Sequence, residues 1–132
     1  MMLMQLDFSC EEPIYLQIHN QLVLFIASGY LKPGDKLPSI RALANETGVN
    51  VMTVNKSYQM LKQEGYITAD RRGGTVVAGK CPETSSAQIT SELAMPAATA
   101  KLSGISCKQW LELCKQAYDS LNTDNIKKNV KE

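Results

Sequence analysis

LPSIRALANETGVNVMTVNKSYQMLKQEG, residues 37–65, divides itself into two short helices. Ser39 suits the position before a first turn, where its hydroxyl can accept a bond from a free backbone N–H. Ile40, Leu43 and Ala44 then fall on one face, and Gly48 ends the segment after about two turns. Val49 places an apolar residue in the turn. Asn50 caps a second helix, with Val54, Tyr58 and Leu61 turned inward until Gly65 closes it. Two short helices across a tight glycine turn form a helix-turn-helix, in which the residues just after Asn50 project from the body and can enter a major groove.

Working back toward the N-terminus, residues 31–38 (LKPGDKLP) carry a Pro-Gly turn signal and a second proline, so they read as a connector. Before them, Ile14, Ile18, Leu22, Phe25 and Ile26 recur at spacings of three and four. That is one apolar face of a helix over residues 13–29, opened by Pro13 and stopped by Gly29.

Working forward, residues 66–69 (YITA) and 75–78 (TVVA) are rich in β-branched and aromatic side chains and flank Asp70, Arg71, Arg72, Gly73 and Gly74. They predict a β-hairpin with a glycine-rich tip, a wing whose two cations can lie against phosphates or in a minor groove. The expected fold class is therefore α+β and mainly α: a winged helix-turn-helix over residues 1–79. A linker follows at residues 80–86. Two helices are then expected, at 87–103 and 106–122, with Pro96 placed to kink or interrupt the first and Ser106 with Gln109 at capping-box spacing opening the second.

In the last of these helices Cys107, Trp110, Cys114, Ala117 and Leu121 make an a/d seam, flanked by Leu111 and Tyr118. Two heptads are too few to hold a dimer alone, whereas two helices per subunit packed on their mates suffice. Residues 87–122 thus read as a helical dimerisation segment and residues 123–132, polar with Lys127, Lys128 and Lys131, as a frayed tail.

Composition sets limits on function. The 132 residues are 44% hydrophobic and 20% charged, the range of a folded globular chain. Net charge is only +1, and residues 1–80 hold eight Lys or Arg against seven Asp or Glu, so binding to phosphates must rest on local clustering. Four cysteines, Cys10, Cys81, Cys107 and Cys114, include no C-x-x-C pair, and the one histidine, His19, is far from them in sequence. No metal site and no cofactor are expected, and the cysteines read as reduced thiols of a cytoplasmic protein. Met1–Met4 lacks the basic flank and length of a signal peptide, and no run approaches the length of a membrane span. With one histidine and no nucleophile motif there is no catalytic constellation, so an enzyme is not expected.

The LPS-x-R-x-LA segment followed by G-V-N-x-x-T-V, with YQMLKQEGYI at residues 58–67 and the wing after it, resembles the GntR family of bacterial transcription regulators over about residues 13–79. The short two-helix remainder is similar to the YtrA subfamily, in which such a tail serves dimerisation. The resemblance implies double-stranded operator DNA as partner, a homodimer, and DNA contacts at Ser39, Arg41, Asn50, Val51, Met52, Thr53, Asn55, Lys56, Arg71, Arg72 and Gly73. In that scheme Arg41 touches phosphate or guanine, an Asn can pair with adenine, and Met52 can pack on a thymine methyl. The sequence departs from the family in having Val51, Met52 and Asn55 where many members carry arginines, and Arg72 where glycine is frequent. The subfamily further implies a repressor beside transporter genes, with a small-molecule effector as a further potential partner. The alternative reading is a winged helix that docks protein without specific DNA readout. Cys107 and Cys114, one heptad apart, are either small apolar seam residues or a redox pair.

Overall fold

The computed structural model describes residues 4–131, so the opening Met1–Met4 reading lies, but for Met4, outside the described residues. Eight elements follow in order: α1 (Ile14–Ala27), α2 (Ile40–Thr47), α3 (Val51–Glu64), β1 (Ile67–Ala69), β2 (Thr75–Val77), α4 (Ser86–Leu102), α5 (Cys107–Asp119) and α6 (Thr123–Lys131). They form two compact units. One runs to Pro82 and takes back the chain from Asn122; the other is Glu83–Leu121.

In the first unit local signals and packing agree. Ser39 Oγ accepts the Ala42 N–H at 3.1 Å, and Asn50 Oδ1 accepts the Met52 N–H at 2.7 Å, so both helices of the pair begin where a side chain satisfies a free donor. Gly48 ends α2 at φ +71°, a left-handed conformation that lets the chain turn into α3 within two residues. Ile18, Leu22 and Phe25 of α1 meet Leu43 and Ala44 of α2, Val54, Tyr58 and Leu61 of α3, and Ile67 and Val77 of the strands, with Leu31, Leu37 and Val49 closing the gaps. Each such side chain contributes roughly 1.5–3 kcal/mol by leaving water.

The sheet is antiparallel, with Ile67 opposite Val77, Thr68 opposite Val76 and Ala69 opposite Thr75. The supposed connector joins it: Lys36 bridges to Val76, Leu37 N–H donates to Thr75 O and Val77 N–H donates to Asp35 O, both at 2.9 Å. Residues 34–37 therefore give the wing a third edge. That pairing is set by non-local geometry, which the Pro-Gly signal does not encode.

Two polar side chains buried in this unit hold its pieces together. Gln17 Nε2 donates to Asp7 O and Glu12 O while its Oε1 accepts the Asp7 N–H, all at 2.9 Å. One turn later the Gln21 amide exchanges bonds with the backbone of Gln5. Two glutamines on one helix face thus tie the extended N-terminal segment to α1. Ser57 Oγ donates to Tyr15 O at 2.5 Å, joining α3 to the first turn of α1.

Two expectations for the C-terminal half need correction. Over its described residues the tail is not frayed: α6 occupies Thr123–Lys131, Thr123 Oγ1 donates to Ser28 O at 3.2 Å, and Ile126 packs on the core of the first unit. In the sequence Ile126 and Val130 stand one turn apart and Asn122 precedes them as a cap, its Oδ1 accepting the Asn125 N–H at 2.9 Å, a helix signal that the polar composition of the segment hides. Pro96 does not interrupt α4 either. The helix continues from Ser86 to Leu102, and Glu92, whose carbonyl loses its partner to the proline, is an exposed residue that water can satisfy. Helix α5 begins with the full Ser106–Gln109 capping box and ends at Asp119, leaving Leu121 beyond it. No helix among the described residues is long and apolar enough to cross a membrane.

Candidate nucleic-acid interface

At 100° per residue, the inward side of α3 is set by Val54, Ser57, Tyr58 and Leu61, all buried. The opposite side is led by Met52, 79% exposed, with Asn55, Lys56 and Gln59 also exposed, while Val51, one heptad before Tyr58, is exposed as the first residue of the helix. Gln59 was not singled out in the sequence; it falls on this strip by its spacing from Met52 and Asn55. Thr53 lies at the margin, half-buried, so it does not share the strip. The strip therefore presents one thioether, two amides and a lysine, with Val51 exposed at the start of the helix. This is a mixture that can contact methyl groups and base edges.

The loops fix this surface in place. Tyr58 is fully buried on α3, and its hydroxyl donates to Pro38 O at 2.7 Å in the segment leading into α2. Burial, with Glu46 adding to it, pushes the phenol's pKa well above its ordinary value, so the group stays a neutral donor. At the far end of α3, Glu64 pairs with His19 of α1 at 2.8 Å, while the other ring nitrogen of His19 meets Asn20 Oδ1 at 2.8 Å. His19 is a structural tie between α1 and α3.

Cations stand exposed on the elements on either side of α3 in the chain, α2 and the wing. Arg41 is exposed in the first turn of α2, two residues after Ser39, whose hydroxyl oxygen is used as the cap. At the wing tip the Gly73 N–H donates to Asp70 O at 3.1 Å and the Asp70 N–H to Gly74 O at 3.0 Å. Gly73 and Gly74 sit at φ +93° and +86°, which side-chain-bearing residues rarely adopt, and this tight turn puts Arg71 and Arg72 at its outermost positions. Among the described residues Arg41, Arg71 and Arg72 make no ion pair. Lys36, exposed on the wing's third edge, adds a cation that the sequence alone did not single out.

Residues expected at a subunit interface lie in the second unit. Cys107, Ala117 and Leu121 are exposed, Leu111 and Tyr118 are 61% and 80% exposed, and Trp110 and Cys114 are half-buried. None of them is buried within one chain.

Comparison with known proteins matches residues 14–77 to the bacterial regulatory proteins of the gntR family. The chain is 38% identical over 87 residues to the uncharacterized HTH-type transcriptional regulator YhcF of Bacillus subtilis, covering 66% of this chain and 67% of that protein. It is 40% identical over 82 residues to the HTH-type transcriptional repressor YtrA of the same organism, covering 62% and 63%. About a third of each relative is thus left unmatched. Among solved structures, YtrA from Sulfolobus acidocaldarius, a GntR-family transcription factor, is 37% identical with a TM-score of 0.55 over 89% of this chain and 97% of that one. A transcriptional antiterminator from Listeria monocytogenes reaches a TM-score of 0.79 at 26% identity over 89% and 90%. The DNA-binding domain of AraR in complex with operator ORX1 gives 0.52 at 26% identity, over 57% of this chain and 96% of that one.

Proposed function

Because this chain belongs to the GntR family of transcriptional regulators, which carry a DNA-binding helix-turn-helix and are not enzymes, we propose that it is a repressor acting as a homodimer on a two-fold symmetric operator. The observation that carries the DNA reading is that α3 presents an exposed strip while Arg41 of α2 and Arg71 and Arg72 of the wing are exposed and make no ion pair among the described residues. Exposed cations on the elements that precede and follow such a helix suit contact with the phosphate backbones that border a major groove. In this assignment Met52, Asn55 and Val51 read base edges, Asn50 and Thr53 flank them, and Ser39, Arg41, Lys56, Arg71, Arg72 and the Gly73 backbone hold the phosphates.

Dimerisation rests on the second unit. Trp110, Leu111, Cys114, Tyr118 and Leu121 leave apolar surface uncovered in one chain, and a mate packed on α4 and α5 would bury it. Two half-sites about one helical turn apart would then mirror the protein's symmetry. The likeness to YtrA supports the repressor role, and the subfamily resemblance extends it to a transporter operon, with any effector bound between subunits.

The test is fluorescence anisotropy with the chain's own upstream DNA and a shuffled duplex at several salt concentrations. Preference for the native duplex by about 10³ or more at physiological salt is the expected result. Equal binding to both would remove the specific-repressor reading, and binding to neither would favour a protein-docking winged helix.

A further inference from the structure

Lys56 differs from the other cations of the interface in where its ammonium rests. It lies over the Tyr15 ring, with Nζ 3.9 Å from the centroid, well inside the ~6 Å reach of a cation–π contact. The next residue of α3, Ser57, donates its hydroxyl to Tyr15 O at 2.5 Å, so two consecutive residues of α3 grip the same residue of α1, one through its ring and one through its backbone. Tyr15 stands in the first turn of α1 and is half-buried, while Lys56 is exposed and makes no ion pair among the described residues.

A lysine stem is long and flexible, and its ammonium has three donors. A ring face satisfies one side of that ammonium and leaves N–H groups directed at solvent. We infer that Tyr15 is a positioning residue for DNA binding: it pre-orders Lys56 at the flank of α3 as a phosphate anchor, so that Lys56 adds affinity for any duplex and no base preference. This rests on the DNA-binding reading above and deepens it. The ordering is done in the free protein, which reduces the side-chain freedom lost when the complex forms.

The experiment compares wild type, Tyr15→Phe, Tyr15→Leu, Lys56→Gln and the double variant Tyr15→Leu/Lys56→Gln by anisotropy over a salt series, on the native and the shuffled duplex. Tyr15→Leu is expected to weaken both duplexes about three- to tenfold, and Tyr15→Phe, which keeps the ring, to restore wild-type binding. Lys56→Gln should lower the slope of log affinity against log salt by about 0.9, the loss of one phosphate contact. In the Lys56→Gln background Tyr15→Leu should then have no further effect. An additive effect in the double variant, an indifferent Tyr15→Leu, or a Tyr15→Phe as weak as Tyr15→Leu would each overturn the inference.

Should Tyr15→Leu fail to fold, the Lys56 ε-methylene protons of the wild-type protein decide the matter by NMR. Displacement upfield by the ring supports the platform, and random-coil positions overturn it. Wild-type protein that binds neither duplex would overturn the DNA reading together with this inference. Tight wild-type binding with an indifferent Tyr15→Leu would overturn this inference alone.

Discussion

The unit built on α1–α3 and the wing fills its own interior, with Ile18, Leu22, Leu43, Val54, Tyr58 and Leu61 fully buried; the unit of α4 and α5 buries only Ala100 among its described residues. Both have apolar residues at helical spacing. The difference lies in what those residues meet. In the first unit three helices and a sheet edge converge on a common centre, so each apolar face finds a partner in the same chain. In the second, two helices joined at Gly104 cannot enclose a centre, and Leu93, Leu102, Leu111, Leu113 and Tyr118 remain in water. An amphipathic pattern specifies that a face wants covering, and only the count of neighbouring elements says whether the cover comes from the same chain.

The largest expected effect tests whether a second copy provides that cover. Trp110→Glu combined with Leu111→Glu should convert the protein from dimer to monomer in sedimentation equilibrium and weaken operator binding by about 10²–10⁴-fold, since the second half-site is no longer held at high effective concentration. The melting transition of the first unit should persist. A variant that stays dimeric would place the interface elsewhere.

The next effect contrasts a core that is closed with one that is open. Leu22→Ala should destabilise the first unit by about 2–5 kcal/mol in denaturant titration. Leu113→Ala, at a position 46% exposed, should change it by no more than about 0.5 kcal/mol. Similar losses would mean that the units do not fold as distinct bodies.

Within the first unit, Tyr58→Phe leaves the Pro38 carbonyl without its donor and should cost about 1–3 kcal/mol in thermal unfolding, while the base preference of whatever folded protein remains is unchanged. The smallest and most specific contrast is between strip and rim. Asn55→Ala should lower the preference for the native duplex over single-base variants by about 1–3 kcal/mol, whereas Arg72→Ala should weaken all duplexes alike and reduce the salt slope by about 1. If both behaved alike, the division into base readers and phosphate anchors would fail.

The comparison also explains what the sequence made legible. Caps and stops are local, and Ser39, Gly48, Asn50, Gly65 and Ser106 stand where their chemistry placed them. The core face of α3 followed from spacing alone. Contacts between distant segments did not follow from it: the Gln17 and Gln21 ties to the N-terminal segment, the Lys36 bridge beside the wing, and the Tyr15 ring under Lys56 are fixed by tertiary placement. In the candidate interface, the exposure of the wing arginines and of the outward residues of α3 was legible because hairpin tips and helix periodicity both have simple rules. Thr53 is half-buried beside that strip, since adjacency to Met52 along the chain means a rotation of 100° around the helix. Helix α6 was missed because its apolar pair, Ile126 and Val130, is only one turn long within a polar segment, and what Ile126 packs against is fixed by tertiary placement.

The return of α6 to the first unit has a consequence for the order in which the molecule is made. A chain is synthesised from its N-terminus at roughly 5–20 residues per second, so the stretch between Pro82 and Asn122 delays the arrival of α6 by several seconds. During that interval the part of the core that receives Ile126 and the carbonyl of Ser28 that receives Thr123 are still bare. The body that carries the DNA-facing helix is thus the first begun and the last finished, and α4 and α5 have already emerged when it closes.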